Sequence, residues 1–356
     1  MEAMRLMRVR KWLEQEELDA LLIASPYNRR YLTGFTGSSG YVLITKEHAL
    51  LLTDFRYMSQ ATEQAPIYEV IQHATKPLST VSEKLQMFQV KRLGFEKNQV
   101  SFAVYQAYLE QFEGVTLVPT ENIVERLRGI KDEVEISLIK RAIDITERAF
   151  NHILGVLKPG ISERDISAEL EYFMRMNGAA SSAYPTIVAS GERSALPHGL
   201  ASSKRIGNHE FVTLDFGANF EGYCADLTRT VFIGSPTQKH KEIYRIVLEA
   251  NLATLASLKP GMTGKEGDEL GRAIIASYGY SPYFGHGLGH AFGLEIHELM
   301  RFSSQTEDLL EPGMVMTVEP GIYLPGFGGV RIEDNIRFTN TGIEVLTQSS
   351  KELIAL

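Results

Sequence analysis

At 356 residues, with 44% hydrophobic and 22% charged residues, the chain is an ordinary globular sequence long enough for two domains, each with its own core. A net charge of −8 without a basic run argues against nucleic acid or an anionic membrane as the main partner, and no apolar run approaches the roughly 20 residues of a membrane span. The single cysteine, Cys224, excludes an intrachain disulfide and fits a reducing, cytoplasmic setting.

The first 25 residues carry scattered charge and read as an amphipathic helix followed by a strand, not as a signal peptide. DALLIAS (19–25), YVLIT (41–45) and ALLLTD (49–54) have strand character, the last two joined by the polar turn Lys46-Glu47-His48. VSEKLQMF (81–88) and SFAVYQAYLEQF (101–112) have helical character, with Ser101 as N-cap. This α/β unit is complete by about Thr120 and carries no constellation of acids and histidines, so it reads as a scaffold or lid.

From Lys131 a long amphipathic helix begins, with Val134, Leu138, Ile145, Ala149 and Ile153 at roughly helical spacing. It ends at Lys158-Pro159-Gly160, and a new helix opens at Ser162 with Asp165 three residues on, close to a capping box. That boundary recurs: LKPGISERDISAEL (157–170) is echoed by LKPGMTGKEGDEL (258–270), an offset of 101 residues. TLDFG (213–217) is likewise echoed by TVEPG (317–321), with Asp226 eleven residues after Asp215 and Glu333 fourteen after Glu319. Two copies of about 100 residues point to a duplicated α+β half-domain rather than a solenoid.

If TLDFGANFEGYCADLTRTVFI is a hairpin or meander, Thr213, Asp215 and Gly217 share one strand face and Asp226, Thr228 and Thr230 share another. Both carboxylates can then point to one side, and the same logic puts Glu319 and Glu333 on strands around MTVEP and GVRIEDNIRF. Acids inside apolar strands are expensive to bury unless they are paired or bound to cations. Between these acids lies GHGLGHAFGLEIHE (285–298), with His286, His290 and His297 among four glycines. It is not the zincin HExxH helix, and the stretch alone leaves metal ligand, substrate contact and polar loop all open. Four converging carboxylates would repel one another without compensation, which a pair of divalent cations roughly 3.5–4 Å apart supplies. Carboxylates with one imidazole favour a hard to borderline ion such as Mn²⁺.

The ordered series Asp215, Asp226, His290, Glu319, Glu333, set in PHG, LDFGA, GYCADLTRT, GLGHAFGLEIHE, EPGMVMTVEPGIY and GGVRIED, resembles the dinuclear metallopeptidases of the pita-bread fold. Within that group the two-domain length is similar to prolidase and aminopeptidase P, which cleave Xaa-Pro bonds. The resemblance is strong over roughly 130–356 and a matter of general layout over 1–120. It implies an α+β chain: a smaller α/β domain of the creatinase/prolidase N-terminal type at 1–125, then a pita-bread catalytic domain with internal pseudo-two-fold duplication at 126–356.

The resemblance further implies two divalent ions, Mn²⁺ first, with Co²⁺, Zn²⁺ and Fe²⁺ as alternatives. Asp215 would bind one ion through both oxygens, Asp226 and Glu333 would bridge the pair, and His290 and Glu319 would complete the other ion. A water or hydroxide between the ions would be the nucleophile, with Glu319 as general base. His297 resembles the histidine facing the proline side of the scissile bond, and His198, in SALPHG, the one that steadies the tetrahedral intermediate. His286 resembles a substrate-side histidine of some relatives, while Arg331 is expected to pair with Asp215. Arg301 resembles the arginine that takes the dipeptide carboxylate in prolidases, although the neighbouring Leu299-Met300 departs from the Trp-Pro found in some of them. These features favour an Xaa-Pro dipeptidase, with aminopeptidase P as the alternative. Proline-containing peptides would be the substrates, and the chain would form a homodimer. Cys224 is expected to pack rather than react.

Overall fold

In the computed structural model, which describes residues 1–356, helix Glu2–Gln15 buries Leu6, Val9 and Leu13, three and four residues apart as one helix face requires. Six strands then form one mixed sheet, in the order Glu69–Gln72, Ala49–Thr53, Tyr41–Thr45, Ala20–Ile23, Arg92–Glu96, Thr116–Thr120. The expected hairpin is present, and Thr45 Oγ1 accepts from Glu47 N at 3.2 Å and His48 N at 2.8 Å to close its turn. Ser101 caps helix Phe102–Gln111 by accepting from Val104 N. Leu22, Leu43, Leu52, Leu93 and Phe95 pack with helix residues Val81, Leu85 and Tyr108 to form this unit's core. It spans Met1–Arg128, and Gly129–Leu356 forms the second unit.

The second unit opens with helix Glu133–Leu154, started by a capping box of Asp132 and Glu135. Its buried face is not the expected one over the first two turns. Val134 is exposed and Leu138 only half-buried, while Ile136, Ile139, Ala142 and Ile143 face inward. Glu135 sets this rotation, because its carboxylate turns inward to cap the helix and accept the Tyr223 hydroxyl at 3.0 Å.

The duplication legible in the sequence is a duplication of backbone hydrogen bonds. Gly160 (φ +89°) and Gly261 (φ +86°) both turn in the left-handed region, where glycine carries no Cβ penalty. Gly160 N donates to Ile206 O and Gly261 N to Leu310 O, each at 2.8 Å. Ser162 and Thr263 then build matching capping boxes with Asp165 and Glu266, starting helices Glu163–Met176 and Gly264–Ser277.

Each half adds a three-stranded antiparallel sheet. The first runs Leu227–Ile233, Glu210–Phe216, Ile187–Ser190, and the second runs Val315–Val318, Asp334–Phe338, Ile343–Val345. One core gathers on Ile153, Leu170, Leu214 and Phe216, the other on Ile243, Ile275, Phe302 and Ile336. No helix is long and apolar enough to cross a membrane.

Candidate metal centre

Strand Glu210–Phe216 pairs with Leu227–Ile233 in a register that sets Thr228 opposite Asp215 and Thr230 opposite Thr213. The strand period therefore turns Asp215 and the Thr228 hydroxyl to one face, as expected. Asp226 lies one residue before its strand, and its peptide is held from both sides by the Asn335 side chain, which donates to Asp226 O and accepts from Asp226 N. Glu319 and Glu333 are not inside strands as expected but at strand ends. Glu319 follows Val315–Val318 directly, and Glu333 sits between Gly328–Arg331 and Asp334–Phe338. An acid at a strand end reaches the sheet's rim without interrupting the apolar run that packs its core.

His290 arrives on the short strand Gly289–His290, paired with Arg301–Phe302. Gly289 allows this approach, because a Cβ there would stand 2.1 Å from Thr317 O. The Thr317 hydroxyl accepts from His290 N at 3.0 Å and donates to Glu319 Oε1 at 3.1 Å, joining two of the predicted residues. His290 Nδ1 donates to Ala291 O at 3.2 Å, so Nε2 points into the acidic cluster, 3.4 Å from both Asp226 Oδ2 and Glu319 Oε1.

Ligand atoms of Asp215, Asp226 and Glu333 lie within 4.8 Å of one another. Glu333 is 1% exposed; Thr228 donates to its Oε2 at 2.7 Å, while Oε1 is buried with no hydrogen-bond partner. A buried carboxylate oxygen without a donor is costly, and Asp226, Glu319 and Asp215 all act on this carboxylate with like charge. Burial raises the pKa of Asp215 against the pull of Arg331. Burial also holds Glu319 up at about 7 against the pull of His290, and drives Glu333 well above the usual range with Asp226 and Glu319 adding to the effect. Burial disfavours charge on His290, but Asp226 and Glu319 outweigh it and its pKa is raised. Oxygen-rich donors with one available imidazole nitrogen are the donor set of hard to borderline divalent cations.

Arg331 stands behind Asp215 as expected, donating to its Oδ2 and also to Thr228 Oγ1, Pro197 O and the Tyr323 hydroxyl. The remaining predicted residues, His198, His286, His297 and Arg301, line one cleft of about 560 Å³ with the five above. The His297 ring stands edge-on to His290 at 4.4 Å between centroids, and Arg301 is His290's cross-strand partner. His286 is fixed: Nδ1 donates to Gly287 O, and Nε2 accepts from Tyr323, which itself accepts from Arg331. Burial and Arg331 lower its pKa to about 4, so it is a neutral imidazole. Cys224 is buried, with its thiol pushed up to about 12 by burial, and packs.

Two tyrosines of the site escaped the sequence reading. Tyr184 donates to Asp215 Oδ1 at 2.6 Å and also reaches Asp226 Oδ1, and Tyr323 bridges Arg331 and His286. Tyr323 follows the EPG motif by two residues, a signal available to strand periodicity; Tyr184, in a loop before Pro185, offered none.

Buried carboxylates and an imidazole converging in a cleft of this size define a metal-dependent hydrolase. The sequence profile of metallopeptidase family M24 matches residues 137–340, and that of the Creatinase/Prolidase N-terminal domain matches residues 5–130. The chain belongs to metallopeptidase family M24. It is 48% identical to an Xaa-Pro dipeptidase from Bacillus anthracis whose solved structure superposes with a TM-score of 0.98, over 100% of both chains. An X-Pro aminopeptidase from Thermotoga maritima superposes with a TM-score of 0.91 at 39% identity, over 96% of this chain and 98% of that one. The Xaa-Pro dipeptidase of Pyrococcus horikoshii is 40% identical over 353 residues, 98% of this chain and 97% of that protein. The pita-bread unit behind a creatinase/prolidase-type unit, expected from the sequence, is the architecture of this enzyme.

Proposed function

We propose that this enzyme is an Xaa-Pro dipeptidase working with two divalent cations, Mn²⁺ first, held by Asp215, Asp226, His290, Glu319 and Glu333. The observation that carries this reading is the buried Glu333, one of its oxygens unpartnered and a ligand atom of it within 4.8 Å of Asp215 and Asp226, in a cleft that also presents Arg301. Cations bound there would polarise the scissile carbonyl and bring the pKa of water towards neutrality. Glu319 is the proton carrier: Thr317 occupies its Oε1, and it keeps more side-chain exposure, 16%, than Asp226 at 8%. His198 meets the charge developing on the carbonyl oxygen, and His297 faces the proline side. His286, held neutral, hydrogen-bonds without adding charge. Arg301 takes the dipeptide's carboxylate through its planar fork.

Proline suits this arrangement because a bond preceding it is a tertiary amide with no N–H to satisfy. A second reading, release of the N-terminal residue from longer Xaa-Pro peptides, draws support from the likeness to the Thermotoga aminopeptidase and from the exposure of Arg301. A homodimer in a reducing, cytoplasmic setting accords with the family likeness and the lone buried cysteine. The test is hydrolysis of an Xaa-Pro dipeptide against the matching Xaa-Pro-Xaa tripeptide by metal-stripped protein, with and without Mn²⁺. Mn²⁺-dependent cleavage of the dipeptide is expected; a preference for the tripeptide would favour the second reading, and cleavage of neither would overturn both.

A further inference from the structure

The histidine-bearing stretch Gly285–Glu298 is held at each end by a carboxylate–cation pair. At its start, Arg272 binds Asp268 and donates to Phe284 O at 3.0 Å and His286 O at 2.8 Å, while Asp268 Oδ1 accepts from Leu288 N. At its end, Lys131 Nζ meets Glu298 Oε2 at 2.9 Å, with 1% and 4% of the two side chains exposed. Glu298 Oε1 accepts from Leu294 N at 3.1 Å and Glu295 N at 3.4 Å, closing a turn over its own chain. Gly293 lies beneath the pair: a Cβ there would stand 2.9 Å from Glu298 Oε1 and 3.1 Å from Lys131 Cε. Gly293 O accepts from Cys224 N at 2.8 Å, two residues before Asp226, and Lys131 N donates to Gly313 O at 3.0 Å.

A buried ion pair rarely stabilises more than a well-packed apolar pair of similar volume. What it supplies instead is direction, because each oxygen of Glu298 is committed to named donors. His297 is the next residue back along the chain, and unlike Glu298 it is exposed in the cleft. We propose that Glu298 and Lys131 are positioning residues for His297, fixing the backbone turn that aims its ring past His290 at the substrate. The pair carries no charge to the cleft itself and acts only through the turn. This rests on the Xaa-Pro reading above.

The experiment is a double-mutant cycle on the Mn²⁺-loaded enzyme, with Glu298→Gln and Gly293→Ala each made in the unmutated and in the His297→Asn background. Gly293→Ala keeps both charges while crowding the pair, so it carries the comparison should Glu298→Gln lose its cooperative thermal transition. Each variant is expected to lower kcat/KM for an Xaa-Pro dipeptide about tenfold in the unmutated background and less than about twofold where His297 is already gone, since coupled residues are non-additive. Mn²⁺ affinity, measured by calorimetry, is expected to stay within about threefold, because Thr317 holds His290 N and both variants keep the Glu298 N bond to Ala291 O, the acceptor that His290 Nδ1 also uses. Equal losses in both backgrounds, unchanged turnover, or Mn²⁺ affinity falling in step with turnover would each overturn the proposal. Failure of the unmutated protein to cleave Xaa-Pro dipeptides with Mn²⁺ would instead overturn the function itself, before any variant is compared.

Discussion

Glu319 makes the acidic cluster's missing countercharge measurable. In the metal-free protein its pKa is raised from 4.5 to about 7, chiefly by burial. Between those two values the folded state holds a proton that the unfolded chain has released, so stability falls as pH rises through that window. A tenfold change in acidity is worth about 1.4 kcal/mol, so Glu319 alone accounts for at most about 3 kcal/mol, an upper bound because 16% of its side chain is in solvent. About 2 kcal/mol of this develops between pH 5 and 7, and at roughly 2–4 °C per kcal/mol for a domain of this size that is a drop of about 4–8 °C in Tm. Asp215 and Glu333, also raised, add slope of the same sign. Calorimetry of chelator-treated protein from pH 5 to 8 should therefore show Tm falling with pH, and Glu319→Gln should flatten the fall by the amount Glu319 contributes. Saturating Mn²⁺ should reverse the trend, because ligands must be deprotonated to bind metal. Metal-free stability that rises with pH, or identical slopes in the protein and the variant, would contradict this linkage.

On the proposed role of Arg301, Arg301→Gln would remove a charge-assisted contact of about 1.5–3 kcal/mol with the dipeptide carboxylate, so KM for Xaa-Pro should rise roughly 10- to 150-fold while tripeptide cleavage barely changes, read by steady-state kinetics on both substrates. Arg331→Met leaves Asp215 buried without its cation, a loss of about 3–5 kcal/mol in denaturant unfolding of the metal-free protein. With Mn²⁺ saturating, the cations replace the lost charge and the difference should shrink to less than half. Gly160→Ala and Gly261→Ala put a Cβ into open space but at φ +89° and +86°, so each should cost about 1–2 kcal/mol, and the same amount at both sites, in thermal unfolding.

Much of this molecule is legible in its sequence because local rules decided it. Ser101 and Ser162 announce helix starts through side-chain hydrogen bonds that span three residues. The twin Pro-Gly turns mark the duplication because each fixes one backbone geometry. Asp215 is legible by strand period, and Thr317 was equally available two residues before Glu319. What carries no local signal depends on distant chain. Tyr184 reaches Asp215 across 31 residues and Asn335 reaches Asp226 across 109, with nothing in their own neighbourhoods to announce it. The misjudged face of helix Glu133–Leu154 has the same origin, since the Tyr223 hydroxyl that draws Glu135 inward lies 88 residues away. Strand Thr116–Thr120, half-polar and ending in Pro119-Thr120, was recruited by pairing with Arg92–Glu96 rather than by its own pattern.

On the proposed reading, hydrolysis depends on two cations held by five side chains. The most direct test is to titrate Mn²⁺ into chelator-treated protein, following bound metal per chain and Xaa-Pro dipeptide hydrolysis on the same samples, with Glu333→Gln alongside. Two Mn²⁺ per chain are expected, with activity that appears only as they bind and loss of both in Glu333→Gln. Hydrolysis that persists under chelation, or a Glu333→Gln variant that still binds two ions and cleaves at the original rate, would contradict it.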